Sequence, residues 1–163
     1  MQVIRCRLFE TNSSSTHSIF LRTENFSSQP STIPMRKGVV KLVGGHFGWG
    51  PEVYTDTATK AAYVVSYLMG EAMTPEEEKA ALSSKLAKLL REVVLEELGA
   101  TEVQIVPIQE TYAKWGYIDH QSNKGDSDTL GKLLHSFGPG KKEALRQFIF
   151  NQAYVLYIDN DNH

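Results

Sequence analysis

Apolar and polar positions alternate near the start of the chain. In residues 3–9, Ile4, Cys6 and Leu8 share one side and Arg5 and Arg7 the other, the period of a half-buried strand. The segment HSIFLRT, from His17, repeats that pattern and predicts a second strand, forming a hairpin with the first or lying close to it. In it His17 falls on the same side as Ile19 and Leu21, at the strand's entrance. VVKLV (39–43) and TEVQIVPI (101–108) predict two further strands, Pro107 marking an edge or an end of the latter. A short strand is possible at GYID (116–119), and AYVLYID (153–159) predicts the last.

The helical period appears between these strands. A helix is expected from about Thr57 to Met69, with Thr55 or Asp56 as N-cap and Gly70 as its stop. Thr74-Pro75-Glu76-Glu77 is a capping box with proline at the first helical position. Leu82, Leu86, Leu89, Leu90, Val93 and Leu98 extend it as one amphipathic helix closed by Gly99. A third helix, capped by Asp126 or Ser127, runs through Phe137 to the break at Gly138-Pro139-Gly140, and a fourth spans about Lys141 to Asn151. The segment ENFSSQPSTIPMRKG (24–38) reads as an extended surface loop. Strands with helices clustered between them predict an α+β fold: a mixed β-sheet of about five strands packed by about four helices. With no repeat or change of composition, residues 1–163 are expected to form a single domain.

Composition narrows the function classes. Seventeen basic against nineteen acidic residues give a net charge of −2, which removes the electrostatic case for general nucleic-acid or anionic-membrane binding. The single cysteine, Cys6, rules out an internal disulfide and a four-cysteine zinc site, and its strand setting makes it a buried thiol. No run approaches the apolar length of a membrane span, and no signal-peptide pattern opens the chain, so a cytoplasmic protein is expected.

Three connections carry the candidate chemistry. ETNSSSTHS (10–18) gathers hydroxyls, the Asn12 amide and the His17 imidazole. Ser13, Ser14 and Ser15 with Asn12 can cradle a phosphate, while Glu10 is placed to orient His17. A solvated turn bonding its own backbone accounts for the hydroxyls and leaves the histidine unexplained. GGHFGWGPEVY (44–54) combines glycines, for close backbone approach to a ligand, with His46, Phe47 and Trp49, or else is a loop pinned in the core by its aromatic rings. It matches neither the dinucleotide-binding nor the Walker glycine pattern. KWGYIDHQS (114–122) holds Trp115, Asp119, His120 and Ser122. Asp119 and His120 pair only in a turn, whereas on a strand His120 shares a face with Ser122. A histidine bonded to backbone is the plainer alternative.

TNSSSTHSI, GGHFGWGPEV and GYIDHQS together resemble motifs of uncharacterised proteins of bacteria and their phages. That resemblance spans about the first three-quarters of the chain, brings no activity, and implies only that the three loops belong to one pattern. HQSN at His120 and HSIF at His17 are also similar, in part, to the repeated His-x-Thr/Ser motif of two-histidine phosphoesterases. Asn123 stands where that motif has an apolar residue, and Ile19 where it has a hydroxyl.

If the three loops meet, their imidazoles, hydroxyls and indoles suit phosphoryl or nucleotide chemistry. The expected function is binding, with or without hydrolysis or transfer, of a phosphate-bearing, nucleotide-like small molecule. His17 and His120 are the candidate catalytic acid–base pair. Asn12, Ser13, Ser14, Ser15, His46, Trp49 and Trp115 are the candidate substrate-binding residues. Two other classes stay open. One is a non-catalytic, phage-type interaction or inhibitor protein whose partner is a host protein and whose Trp-Gly loops are contact hot spots. The other is a metal-dependent hydrolase using the histidines with Asp119 or Asp159. The C-terminal Asp159 and Asp161 have a spacing that can hold Mg²⁺ or Ca²⁺, or form an acidic tail.

Overall fold

The structure is a computed structural model that describes residues 15–21, 32–48, 52–70, 72–108, 113–118, 130 and 140–160, with the side chains at 15–18, 20–21 and 159–160 outside the description. The strand expected at 3–9 lies outside the described residues, as does the helix expected from 127 to 137 except for Leu130, which is helical and buried.

The chain is α+β. Eight short strands are described: β1 (Ser15–Leu21), β2 (Met35–Arg36), β3 (Val39–Leu42), β4 (His46–Phe47), β5 (Glu52–Tyr54), β6 (Glu102–Ile105), β7 (Tyr117–Ile118) and β8 (Tyr154–Asn160). Four helices are described with them: α1 (Thr57–Met69), α2 (Pro75–Leu82), α3 (Lys85–Leu98) and α4 (Lys141–Phe150). Instead of one sheet of about five strands, the described strands form three small sheets, in the orders β1-β8-β5, β2-β3-β6 and β4-β7. Only the second is mixed, with β2 antiparallel and β6 parallel to β3.

The division has a local cause. β3 pairs with β6 through residues 63 apart (Val39 with Glu102), and β4 pairs with β7 through residues 71 apart (His46 with Tyr117). The same two chain paths therefore run side by side twice, and the later path loops out eight extra residues between pairings. The Ile108 amide, donating to the Lys114 carbonyl at 2.7 Å, closes that excursion.

Local signals start and stop the helices. Asp56 accepts from the Thr59 amide at 2.8 Å and starts α1. Thr74 and Glu77 complete the expected capping box of α2. The single helix expected from Pro75 to Leu98 is broken at Ser83-Ser84. Ser84 leaves helical geometry (φ −64°, ψ 162°), and its hydroxyl accepts from the Ala87 amide to begin α3. Arg91 donates to the Leu82 carbonyl at 2.8 Å, satisfying the end of α2. Short strands also interrupt the two segments expected to be loops. β2 joins β3 through Lys37-Gly38, both at positive φ (51° and 78°), the geometry of a tight hairpin turn. β4 and β5 lie within the glycine-rich connection.

One hydrophobic cluster ties the three sheets together. It holds Ile19, Leu156 and Ile158 of the first, Val40, Leu42, Val103 and Ile105 of the second, and Phe47 and Ile118 of the third. α1 runs through it, buried on nearly every side, with Ala61, Tyr63, Val64, Val65 and Met69 inaccessible. α3 and α4 add Ala87, Leu90, Leu145, Phe148 and Ile149.

Candidate functional site

The second and third candidate loops meet. The Tyr117 amide donates to the Gly45 carbonyl at 2.8 Å, and β4 and β7 then pair in parallel. Ser66 of α1, itself buried, clamps the crossing: its hydroxyl donates to the Gly45 carbonyl at 2.9 Å and accepts from the Gly45 amide at 2.8 Å. A side chain at Gly116 (φ 86°) would put its Cβ 2.4 Å from the Gly45 carbonyl oxygen, and one at Gly44 would lie 2.0 Å from the Trp115 carbonyl oxygen. The close backbone approach that these glycines permit is therefore to the chain itself, where approach to a ligand was the expectation.

His46 and Phe47 diverge as neighbours on a strand do. Phe47 is buried, its ring edge-on to Tyr63 at 5.0 Å and to Tyr54 at 5.8 Å. It pins the loop in the core, and offers no stacking face. His46 is exposed, directly across from Tyr117. Trp115, a candidate stacking surface, is only 6% exposed, so a base has little of its ring to stack on. Lys114 sits 5.4 Å from the centre of that ring and pairs with Glu78 of α2 at 2.6 Å. The Trp115 indole nitrogen makes no hydrogen bond of normal geometry. Even so, its N–H dipole, after the Lys114 ammonium, helps hold the Glu78 carboxyl below the usual carboxylate range.

The Phe47–Tyr54 contact joins this crossing to the first sheet. There the register sets His17 opposite Ile158, and Ile158 opposite Glu52, in one row across three strands. Strand spacing puts the His17 and Glu52 backbones about 10 Å apart. The Tyr54 hydroxyl donates to the Glu52 carboxylate. Partial burial, and then that carboxylate, push the Tyr54 hydroxyl well above the ordinary tyrosine value. Ser15 begins β1 opposite Asn160, and Asp159 pairs with Thr16. Asn12, Ser13, Ser14, Trp49, Asp119, His120, Asp161 and His163 lie outside the described residues, as do Glu10 and Ser122.

Three polar groups escaped the reading of the sequence. Ser66, amid the apolar run of α1, is one. Lys60 is another: fully buried, it donates to the Asn151 carbonyl at 2.9 Å and the Tyr154 carbonyl at 3.0 Å. Burial pulls its ammonium down to about 8, against a smaller opposing pull from Asp56. The third is the Glu52–Tyr54 pair. A polar residue at a core-facing helical position was the available signal for the first two. Among the described residues no group of three or more His, Cys, Asp or Glu is placed to hold a metal ion, and no helix is long and apolar enough to cross a membrane.

In comparison with known proteins, no family model, no curated protein and no solved structure matches this chain.

Proposed function

We propose that this chain binds a phosphate-bearing, nucleotide-like small molecule at the side of the fold where the glycine-rich and Trp-Gly connections cross, and that His17 and His120 act as an acid–base pair when the ligand is turned over. The observation that carries the reading is the crossing itself. Gly45, Ser66 and Tyr117 bind the second loop to the third, and Phe47 on Tyr54 links both to the sheet that contains His17. In this proposal His46 is the exposed polar group at the crossing, Asn12 and Ser13 to Ser15 cradle phosphate, and Trp49 supplies the stacking face. The same proposal takes the three loops as one family pattern shared with bacterial and phage proteins, in a cytoplasmic protein of one domain.

A thermal-shift screen against nucleotides, cyclic dinucleotides, ADP-ribose and inorganic phosphate tests it. Ligand at ~100 times its dissociation constant stabilises by about 2.7 kcal/mol, which reads as a shift of several degrees. The expected result is a nucleotide shift that Ser14→Ala and His17→Ala remove. Turnover, where found, should vanish in His17→Ala and His120→Ala with the melting temperature nearly unchanged. Silence across the panel, or a shift indifferent to these substitutions, overturns the reading.

A further inference from the structure

The mixed sheet carries a basic face outside the three candidate loops, although Val43 at its end runs directly into the second of them. Alternation along β3 buries Val40 and Leu42 and turns Lys41 outward, with Val43 beyond it 44% exposed. The register sets Arg36 across from Val39, Val39 across from Glu102, and Lys41 across from Gln104. Lys37 stands at the turn between β2 and β3, and Met35 is 49% exposed. A groove of about 680 Å³ runs over this face, lined by Pro34, Met35, Val39 and Val43 together with Arg36, Lys37, Lys41 and Gln104.

Charge decides what fits there. The acid on this face, Glu102, is held by the Gln104 amide at 2.7 Å. None of the three cations is ion-paired among the described residues, although the chain as a whole carries a net charge of −2. Elsewhere Lys114 is held by Glu78, and Lys142 and Arg146 by the acids of α3. Lys79, Lys85, Lys88 and Lys141 are also exposed without an ion pair among the described residues, and what sets Arg36, Lys37 and Lys41 apart is that they line one groove. Three unpaired cations over an apolar floor complement a segment that alternates carboxylates with apolar side chains. A small anion meets only the charge and leaves Met35 and Val43 in water. The groove is also an open trough, whereas small-molecule sites enclose most of their ligand.

We propose that the groove over the outer face and β2 edge of the β2-β3-β6 sheet docks an extended acidic segment of a partner protein, Arg36, Lys37 and Lys41 meeting its carboxylates, and Val39 and Val43 on the face with Met35 at the edge meeting its apolar side chains. The contact is electrostatically steered and salt-sensitive. The groove shares no lining residue with the nucleotide-like site, so the two proposals are tested independently.

The test is fluorescence anisotropy of a labelled peptide of alternating glutamate and leucine titrated with the full chain. Binding in the micromolar range is expected, weakening several-fold between about 50 mM and about 300 mM salt. Arg36→Glu with Lys41→Glu should weaken it at least about tenfold. The neutral pair Arg36→Gln with Lys41→Gln should fall between. His17→Ala should leave peptide binding unchanged. Both substituted side chains are exposed, and a melting curve checks that each variant is folded. Absence of binding, or binding that both pairs of substitutions leave intact, overturns the proposal. Displacement of the peptide by inorganic phosphate or ATP at equal charge assigns the face to small anions and also overturns it.

Discussion

At the scale of single residues, a few small side chains hold the candidate site together. Gly116 has a left-handed backbone, and any Cβ there meets the Gly45 carbonyl oxygen at 2.4 Å and the Ser66 hydroxyl at 2.4 Å. Gly116→Ala should therefore cost about 2 kcal/mol or more in urea denaturation, because backbone strain and overlap add. Ser66→Ala leaves the half-buried Gly45 amide without its acceptor and should cost about 1–2 kcal/mol. Loss of the crossing without loss of the fold would show as reduced nucleotide shift in the thermal screen. Glycine was legible in the sequence as a sign of close approach, but what approaches it was not. The carbonyl that a Cβ at Gly44 would strike belongs to Trp115, 71 positions on. The same limit applies to Trp115, since a tryptophan beside a glycine reads equally as a stacking surface or a core residue.

At the scale of elements, capping chemistry was legible and interruption was not. Thr74-Pro75 and Gly99 mark boundaries within a turn of the residues they serve and stand where the sequence put them, and of the two caps it offered for α1, Thr55 and Asp56, the structure uses Asp56. The break at Ser83-Ser84 was missed because the leucine spacing continues across it, and Ser84 acts as an N-cap only when the chain before it turns away. Ser84→Ala should cost about 1 kcal/mol in chemical denaturation. A fused, longer α2–α3 helix, visible as increased helical circular dichroism, is the alternative outcome. It would mean that the hydroxyl makes the break, and that tertiary packing does not. Between α3 and α4, Lys142 pairs with Glu96 and Glu92, and Arg146 with Glu97 and Glu96, while Glu143 within α4 also holds Arg146. These pairs lie at the surface and fix how the two helices lean more than how strongly they hold.

At the scale of the whole molecule, Lys60 ties α1 to the junction between α4 and β8. Its ammonium titrates near 8 in the folded chain against an ordinary 10.5. Between those values the unfolded chain binds a proton that the folded chain has released, so stability rises with pH across that window by about 3 kcal/mol at most. Below about pH 8 both states hold the proton, and the cost of burying the charge is fully present. Tyr54 acts in the opposite sense above pH 10.0, where unfolded tyrosine ionises and the folded hydroxyl does not. The rise is therefore cleanest from about pH 8 to 10. Urea denaturation across that range should show it, and Lys60→Met should flatten it. A profile unchanged by the substitution would mean that Lys60 stays charged in the core. What the sequence by itself determined about this protein is its α+β class, the starts of α1, α2 and α4, and the strand segments β3, β6 and β8. Each of these rests on side chains within about four positions of one another, where propensity, capping and period act. The splitting of the strands into three sheets, the meeting of two of the three loops, and the partners of Ser66 and Lys60 were decided by tertiary structure alone. Those contacts join residues 21, 91 and 94 positions apart. No local pattern encodes such pairings, because they exist only once the core has closed around them.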